Sequence, residues 1–311
     1  MTPTVAIIDI GSNSLKLLVV HRGQAGEIKE LQSQTIETRI SQGISQAVPR
    51  LGAEGMASGL TAIQALLATA APYAPVKIIL VATSAVRDAT NGADFRARVA
   101  TETGHNIRIL TGDEEANMIG LGLSSDPAFA AFNDFYVFDL GGGSLECLRF
   151  VQRKITQALS LQLGCVRLTE RFIKEPAAPL MIAETTALAL HVRDELKRSS
   201  FRFPLVAPPA IFMGGSMHTV RALKGARHNL SLAESPKLIG IETIADLLDE
   251  ISSLNLEARQ ALPGMAKARA DVFPAALITM LTVADYAHID CFHHSLHNLR
   301  WGLAAEALAG L

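Results

Sequence analysis

The sequence predicts an α/β protein made of two similar halves. Apolar strand-like runs alternate with helical spacings along most of the chain. One motif, an apolar run ending in a carboxylate and then a turn of small residues, occurs at residues 5–14 and again at residues 136–144. A repeat on that scale points to two α/β halves with equivalent first hairpins. The length of 311 residues agrees with this, at roughly 100–200 residues per domain.

Each element follows from local pattern. Residues 5–9 form a short apolar run closed by Asp9, then the turn Gly11-Ser12-Asn13-Ser14, then a second run over 15–20. This spells a β-hairpin. Met56, Leu60, Ile63, Leu66, Leu67 and Ala70 recur at helical spacing and predict a helix over 54–73. Residues 76–82 resemble a buried strand that enters the polar segment Thr83-Ser84-Ala85-Val86-Arg87-Asp88. A helix over 95–103, a short strand over 107–110 and a helix over 113–123 follow. The second hairpin has strands at 136–139 and 145–151 around Gly141-Gly142-Gly143-Ser144. A third glycine turn, Met213-Gly214-Gly215-Ser216, follows a strand at 210–212, and Pro204, Pro208 and Pro209 mark the loop before it. Helices are expected at 181–199, 241–253 and 272–286. The domain boundary is expected near residue 118, giving domains 1–118 and 119–311, with the last helix able to pack back on the first domain.

Composition narrows the function classes. The chain is 49% hydrophobic and 19% charged, enough for substantial cores. A net charge of -2 makes any anion site a local feature and disfavours a nucleic-acid partner bound through bulk charge. No aromatic ladder interleaves with basic residues. The three cysteines, Cys147, Cys165 and Cys291, are scattered and odd in number, so neither a disulfide framework nor a zinc ribbon is expected and a reducing cytoplasm fits. No basic segment precedes the first apolar run, and no run reaches the ~20 residues that span a bilayer, so neither a signal peptide nor a membrane partner is expected. The mean hydropathy of +0.26 reflects core Ala, Leu and Ile.

The two acidic-ended turns suggest phosphate chemistry. Without Cβ atoms, backbone N–H groups can converge on phosphate oxygens. Carboxylates at the strand ends can hold a cation against those oxygens. Mg2+ takes a few carboxylates, with waters and substrate phosphates completing its shell. Asp9, Asp139 and Glu146, the last on the returning strand, are the joint candidates. Each Asp could instead serve as a turn cap.

The segments IDIGSNSLKLLV (8–19), ATSAVRDATNGADF (82–95), TGDEEANMIGLG (111–122) and FDLGGGSLECL (138–148) resemble the Ppx/GppA family of exopolyphosphatases and guanosine pentaphosphate phosphohydrolases. QLGCVRLTERF (162–172), FMGGSMHTVRAL (212–223) and LPGMAKARADVFPAAL (262–277) are similar to its later blocks, so the likeness runs through the chain in order. It implies two ribonuclease-H-like domains of the actin/hexokinase/Hsp70 class around an interdomain cleft. It implies that Gly11, Ser12 and Asn13 form a first phosphate loop, and Gly141, Gly142, Gly143 and Ser144 the opposing one. It further implies Glu115 as the base that activates water, Asp139 and Glu146 as metal- and water-associated carboxylates, and Arg87 as an arginine near the phosphates. The cofactor implied is Mg2+ or Mn2+. The substrates implied are polyphosphate or guanosine pentaphosphate, the latter tied to the stringent response. A homodimer is allowed.

The chemistry is coherent by itself. Hydrolysing a terminal phosphoanhydride needs an in-line water, a cation on the non-bridging oxygens, and donors to them. A carboxylate can orient the water and Arg87 can offer a planar fork. Arg87 could instead form a structural ion pair with Asp88 or Glu115, and Glu114 could simply balance a helix dipole. Lys16, Leu145 and Asn117 depart from the family pattern, as does SLHNLRWGL (295–303), which lacks a glycine. None of these removes a proposed carboxylate. His288, His293, His294 and His297 lie near Asp290 and Cys291, and a 293/297 pair on one helix face would suit a transition metal, but a polar connection before the last helix is the plainer reading. Two rivals stay open: a same-fold phosphotransferase acting on a small acceptor, and a non-catalytic nucleotide or polyphosphate sensor. Longer family members carry additional helical domains, so short chains or nucleotides are expected to be used at least as well as long polymer.

Overall fold

The computed structural model describes residues 2–311 apart from 43, 45 and 47. It divides into two compact units, Met1–Ala131 with His297–Leu311, and Phe132–Leu296. The division does not fall near residue 118. That position lies inside helix α4 (Gly112–Ser124), and the C-terminal segment returns to the first unit.

The first unit carries a five-stranded sheet. Strands β1 (Thr4–Ile10), β2 (Ser14–Arg22) and β3 (Ile28–Glu37) form an antiparallel meander. Strands β4 (Lys77–Ala82) and β5 (Ile107–Ile109) add in parallel beyond β1, for the order β3-β2-β1-β4-β5. Side-chain alternation fixes the faces. Ala6, Ile8 and Ile10 join Leu60, Ile63 and Leu66 of helix α1 (Ala53–Ala70) and Phe95 of α3 (Gly92–Thr103) in one core. Val5, Ile7 and Asp9 therefore point to the other face. The segment 84–88, read as polar, is the short helix α2 (Ser84–Asp88). α4 packs on the final helix, α11 (Leu299–Ala309), at a very close crossing. A Cβ on Gly302 would lie 1.8 Å from the Met118 carbonyl oxygen, and one on Gly122 would lie 2.2 Å from that of Asn298.

The second unit repeats the plan. Strands β6 (Phe135–Leu140), β7 (Leu145–Val151) and β8 (Lys154–Leu161) form the meander. Strands β9 (Ala210–Met213) and β11 (Cys291–His294) add in parallel, and β10 (Leu238–Gly240) closes the edge antiparallel to β11. The order β8-β7-β6-β9-β11 has the same directions as in the first sheet. Helices α5 (Cys165–Phe172), α6 (Ile182–Arg198), α7 (Gly215–Ala226), α8 (Ile241–Ser252), α9 (Leu256–Ala261) and α10 (Phe273–Ala287) surround it. Tyr136, Phe138 and Leu140 enter this unit's core with Leu145 and Cys147, while Asp139 and Glu146 take the alternate face. The twice-built α/β reading and the ribonuclease-H-like strand order are thereby met in both units. The stretch 291–294 is strand and not helix, so His293 and His297 share no helix face.

Candidate active site

Both hairpins close in the same way. Gly11 N–H donates to the Ser14 carbonyl at 3.2 Å, and Gly141 N–H to that of Ser144 at 3.0 Å. Two further carbonyls of the first turn and three of the second are held from behind. The Ser12 oxygen accepts from Ser41 N–H (3.2 Å) and Ser41 Oγ (3.0 Å), and that of Asn13 accepts from Thr38 N–H (3.1 Å) and Arg39 N–H (3.0 Å). Arg39 adopts φ 49° to do so, a left-handed conformation that a non-glycine residue rarely takes. In the second unit the Gly141 carbonyl accepts from Cys165 N–H (3.0 Å), and Gly142 accepts from Val166 N–H (2.9 Å) and Arg167 N–H (3.2 Å). Arg167 Nε donates to Gly143 at 3.0 Å. A trans peptide places C=O and N–H on opposite sides, and no described peptide is cis. The N–H groups of Gly142, Gly143 and Ser144 therefore face away from α5, and among the described residues they meet no acceptor. Such a row is a ready anion nest.

The carboxylates sit at the mouths of these turns. Asp139 and Glu146 are directly opposed in the β6–β7 register, on one face of the sheet. Like charges so placed repel. Ser160 Oγ donates to Glu146 at 2.8 Å, which offsets part of that cost. At the equivalent register in the first unit stands the pair Asp9–Lys16. Asp9 is buried, and its Oδ1 has no hydrogen-bond partner among the described residues, as is also true of the buried Oδ1 of Asn13. A bare buried carboxylate oxygen is costly, and a cation or its bound water would remove the cost. No group of three or more His, Cys, Asp or Glu able to hold a metal exists among the described residues. The opposed pair Asp139 and Glu146 is too small to close a protein cage and fits a cation that shares its shell with waters and phosphates.

Glu115 and Arg87 meet within the first unit. Arg87 Nη1 lies 3.0 Å from Glu115 Oε2 and donates to the Leu110 carbonyl at 2.8 Å, with Asp88 at 3.6 Å from Nε. The structural ion pair raised as the alternative for Arg87 is thus present. Glu115 is 6% exposed, in the first turn of α4. Its neighbour Glu114 does the capping: Thr111 Oγ1 accepts its N–H and its carboxylate accepts the Thr111 N–H. The Thr111 amide first, and the Arg108 guanidinium second, hold the Glu114 carboxyl below the usual carboxylate range.

One neighbouring turn crowds Asp139 and another crowds the second glycine turn. Gly214, at φ 96°, approaches so closely that a Cβ would lie 3.0 Å from Asp139 Oδ1 and 2.4 Å from the Leu140 carbonyl oxygen. Gly164 packs on the second glycine turn, where a Cβ would fall 2.3 Å from Gly142. Sequence reasoning passed over Gly164, Arg167 and Ser41 as supports. The QLGCVRLTERF block was the available signal for the first two, but its contact with the turn is long-range. The histidines disperse. His297 belongs to the first unit, stacked on Trp301 at 3.8 Å and bonded to Ser125. His293 meets Phe132, and His294 is buried beside Arg221.

Each unit therefore presents a glycine-turn hairpin with an acidic strand end on a β3-β2-β1-β4-β5 type sheet, the construction of the actin, hexokinase and Hsp70 class. The chain matches the Ppx/GppA phosphatase family over residues 19–309 and belongs to it. It is 29% identical over 321 aligned positions to exopolyphosphatase 2 of Mycobacterium tuberculosis, covering 98% of each chain. A solved exopolyphosphatase from Cytophaga hutchinsonii superposes with a TM-score of 0.88 at 21% identity, over 99% of this chain and 98% of that one. The Aquifex aeolicus member of the Ppx/GppA family superposes with a TM-score of 0.80 at 22% identity, over 100% and 99%. These structures share the fold. Among the described residues no helix is long and apolar enough to cross a membrane.

Proposed function

We propose that this chain is a phosphoanhydride hydrolase releasing terminal phosphate from inorganic polyphosphate, with guanosine pentaphosphate as a second substrate. The observation that carries the reading is the second glycine turn, its carbonyls fixed from behind and three successive N–H groups turned outward beside Asp139 and Glu146. Such donors match the spread negative charge of a transferring phosphoryl group. The first turn, Gly11-Ser12-Asn13, supplies equivalent donors. Glu115 accepts a proton from the attacking water, and Arg87 fixes its carboxylate. Asp139 and Glu146 are the residues that would hold Mg2+ or Mn2+, which when bound neutralises charge on the phosphate oxygens, and Asp9 is the corresponding candidate carboxylate of the first unit.

The test is phosphate release from long polyphosphate, tripolyphosphate and guanosine pentaphosphate with Mg2+. Glu115→Gln is isosteric and should fold normally while losing roughly 100-fold or more in kcat. Full activity in that variant removes Glu115 from the role. EDTA should abolish release and added Mg2+ restore it. Release unaffected by chelation would contradict the carboxylate assignment.

A further inference from the structure

We propose that Arg167 is a positioning residue that sets the aim of the second glycine turn. In the first unit the turn carbonyls are held by main-chain donors and one serine hydroxyl. In the second unit two of the three carbonyls are likewise held by main-chain N–H groups from the start of α5. The third, that of Gly143, is held by a side chain, through Arg167 Nε at 3.0 Å. This bond is charge-assisted, and the planar guanidinium offers its N–H in a fixed direction. It governs the peptide between Gly143 and Ser144, whose N–H lies on the opposite side, among the outward donors. Gly143 on one side of that peptide leaves it freer to reorient than a peptide between two residues with side chains, because glycine tolerates positive and negative φ alike. Gly164 explains why the bond is within reach. Its missing Cβ lets the start of α5 sit directly against the turn, one helical turn from Arg167. A main-chain donor fixes its acceptor wherever the helix forms. The Gly143 carbonyl alone depends on the identity of one side chain.

The inference rests on the hydrolase reading, and the two fail differently. Wild-type full-length protein, Arg167→Ala and Arg167→Lys are compared for tripolyphosphate hydrolysis with Mg2+, and for amide exchange over 142–144 in the absence of any phosphate. Thermal melts identify folded variants. If Arg167 positions the turn, Arg167→Ala lowers kcat/KM by roughly tenfold and speeds exchange at Ser144 in the phosphate-free protein. Arg167→Lys recovers part of both, because an ammonium can still donate to the Gly143 oxygen. Lost activity with unchanged exchange would mean that Arg167 touches the phosphate itself, which overturns the positioning role. Unchanged activity overturns it also, whatever the exchange. A wild-type protein that releases no phosphate from any of the substrates named above is instead the failure of the hydrolase reading.

Discussion

Glu114 and Glu115 are adjacent in the chain and opposite in circumstance. Glu114 lies 41% exposed and closes a capping box, whereas Glu115 is buried against Arg87. Only the second could orient a water without being drowned by solvent. The cap has its own consequence. The Glu114 carboxyl is held low in the fold, so its contribution is complete above the ordinary carboxylate range and is lost as pH falls through its lowered value. His294 behaves similarly in a higher window. Burial first, and the Arg221 guanidinium second, push its imidazole down to about 3. Arg221 Nη1, always a donor, lies 3.4 Å from His294 Nδ1, which must then be an unprotonated acceptor. The fold keeps this residue neutral while the unfolded chain protonates it below its ordinary 6.5. Stability is therefore full above that value and declines as pH drops from there toward about 3, with a slope of up to ~1.4 kcal/mol per pH unit. His294→Gln should flatten that part of the pH profile in urea unfolding. An unchanged slope between pH 6 and pH 4 would show that other groups set it.

At the scale of elements, the close crossing of α4 and α11 fixes the helix whose first turn carries Glu115. The Gly302 Cα passes so near the Met118 carbonyl that any side chain must force the helices apart. Gly302→Ala should cost about 1–3 kcal/mol in thermal or chemical denaturation. Because α4 carries Glu115 in its first turn, phosphate release should fall by more than the stability loss alone explains. A variant with wild-type melting and turnover would show that the helices can separate freely. The same crossing marks where reading the sequence succeeded and stopped. The strands of the two hairpins, both acidic ends and the helices at 182–198, 241–252 and 273–287 were legible, because each is written in local periodicity. β3 was not. It alternates half-buried and exposed residues at a sheet edge, and its polar stretch ELQSQT lacks the apolar run of a central strand. α5 starts on Gly164 without a side-chain cap and lasts eight residues, too short for a period to show. Asp9 and Asp139 were visible because they end apolar runs, Glu146 because it lies on the returning strand of the second hairpin, and Glu115 only through the family resemblance. Gly164, Arg167 and Ser41 were not, because their partners are reached only through the folded chain.

At the scale of the whole molecule, the chain writes one unit inside the other. Residues 132–296 run without interruption and contain a complete six-stranded sheet with its own core. The first unit is discontinuous, since α11 arrives after the whole of the second unit has been made. A boundary near residue 118 would cut α4 for the same reason. α4 belongs with a partner that lies at the far end of the sequence, and no local signal can announce it. α11 is no accessory. It buries Leu299, Trp301, Leu303, Ala304, Ala307 and Leu308, and Arg300 Nη1 donates to the Leu17 carbonyl of β2 at 2.8 Å. At ~1.5–3 kcal/mol for each large apolar side chain buried, its loss rivals the 5–15 kcal/mol that holds a typical domain together. A fragment of residues 132–296 should therefore melt cooperatively by itself. Residues 1–131 should remain unfolded until residues 297–311 are restored, for instance by fusing them through a glycine–serine linker. Circular dichroism melts and amide spectra of the three fragments decide the matter. If 1–131 alone unfolds as sharply as the fusion does, α11 is dispensable to its core and the nested reading of the chain is wrong.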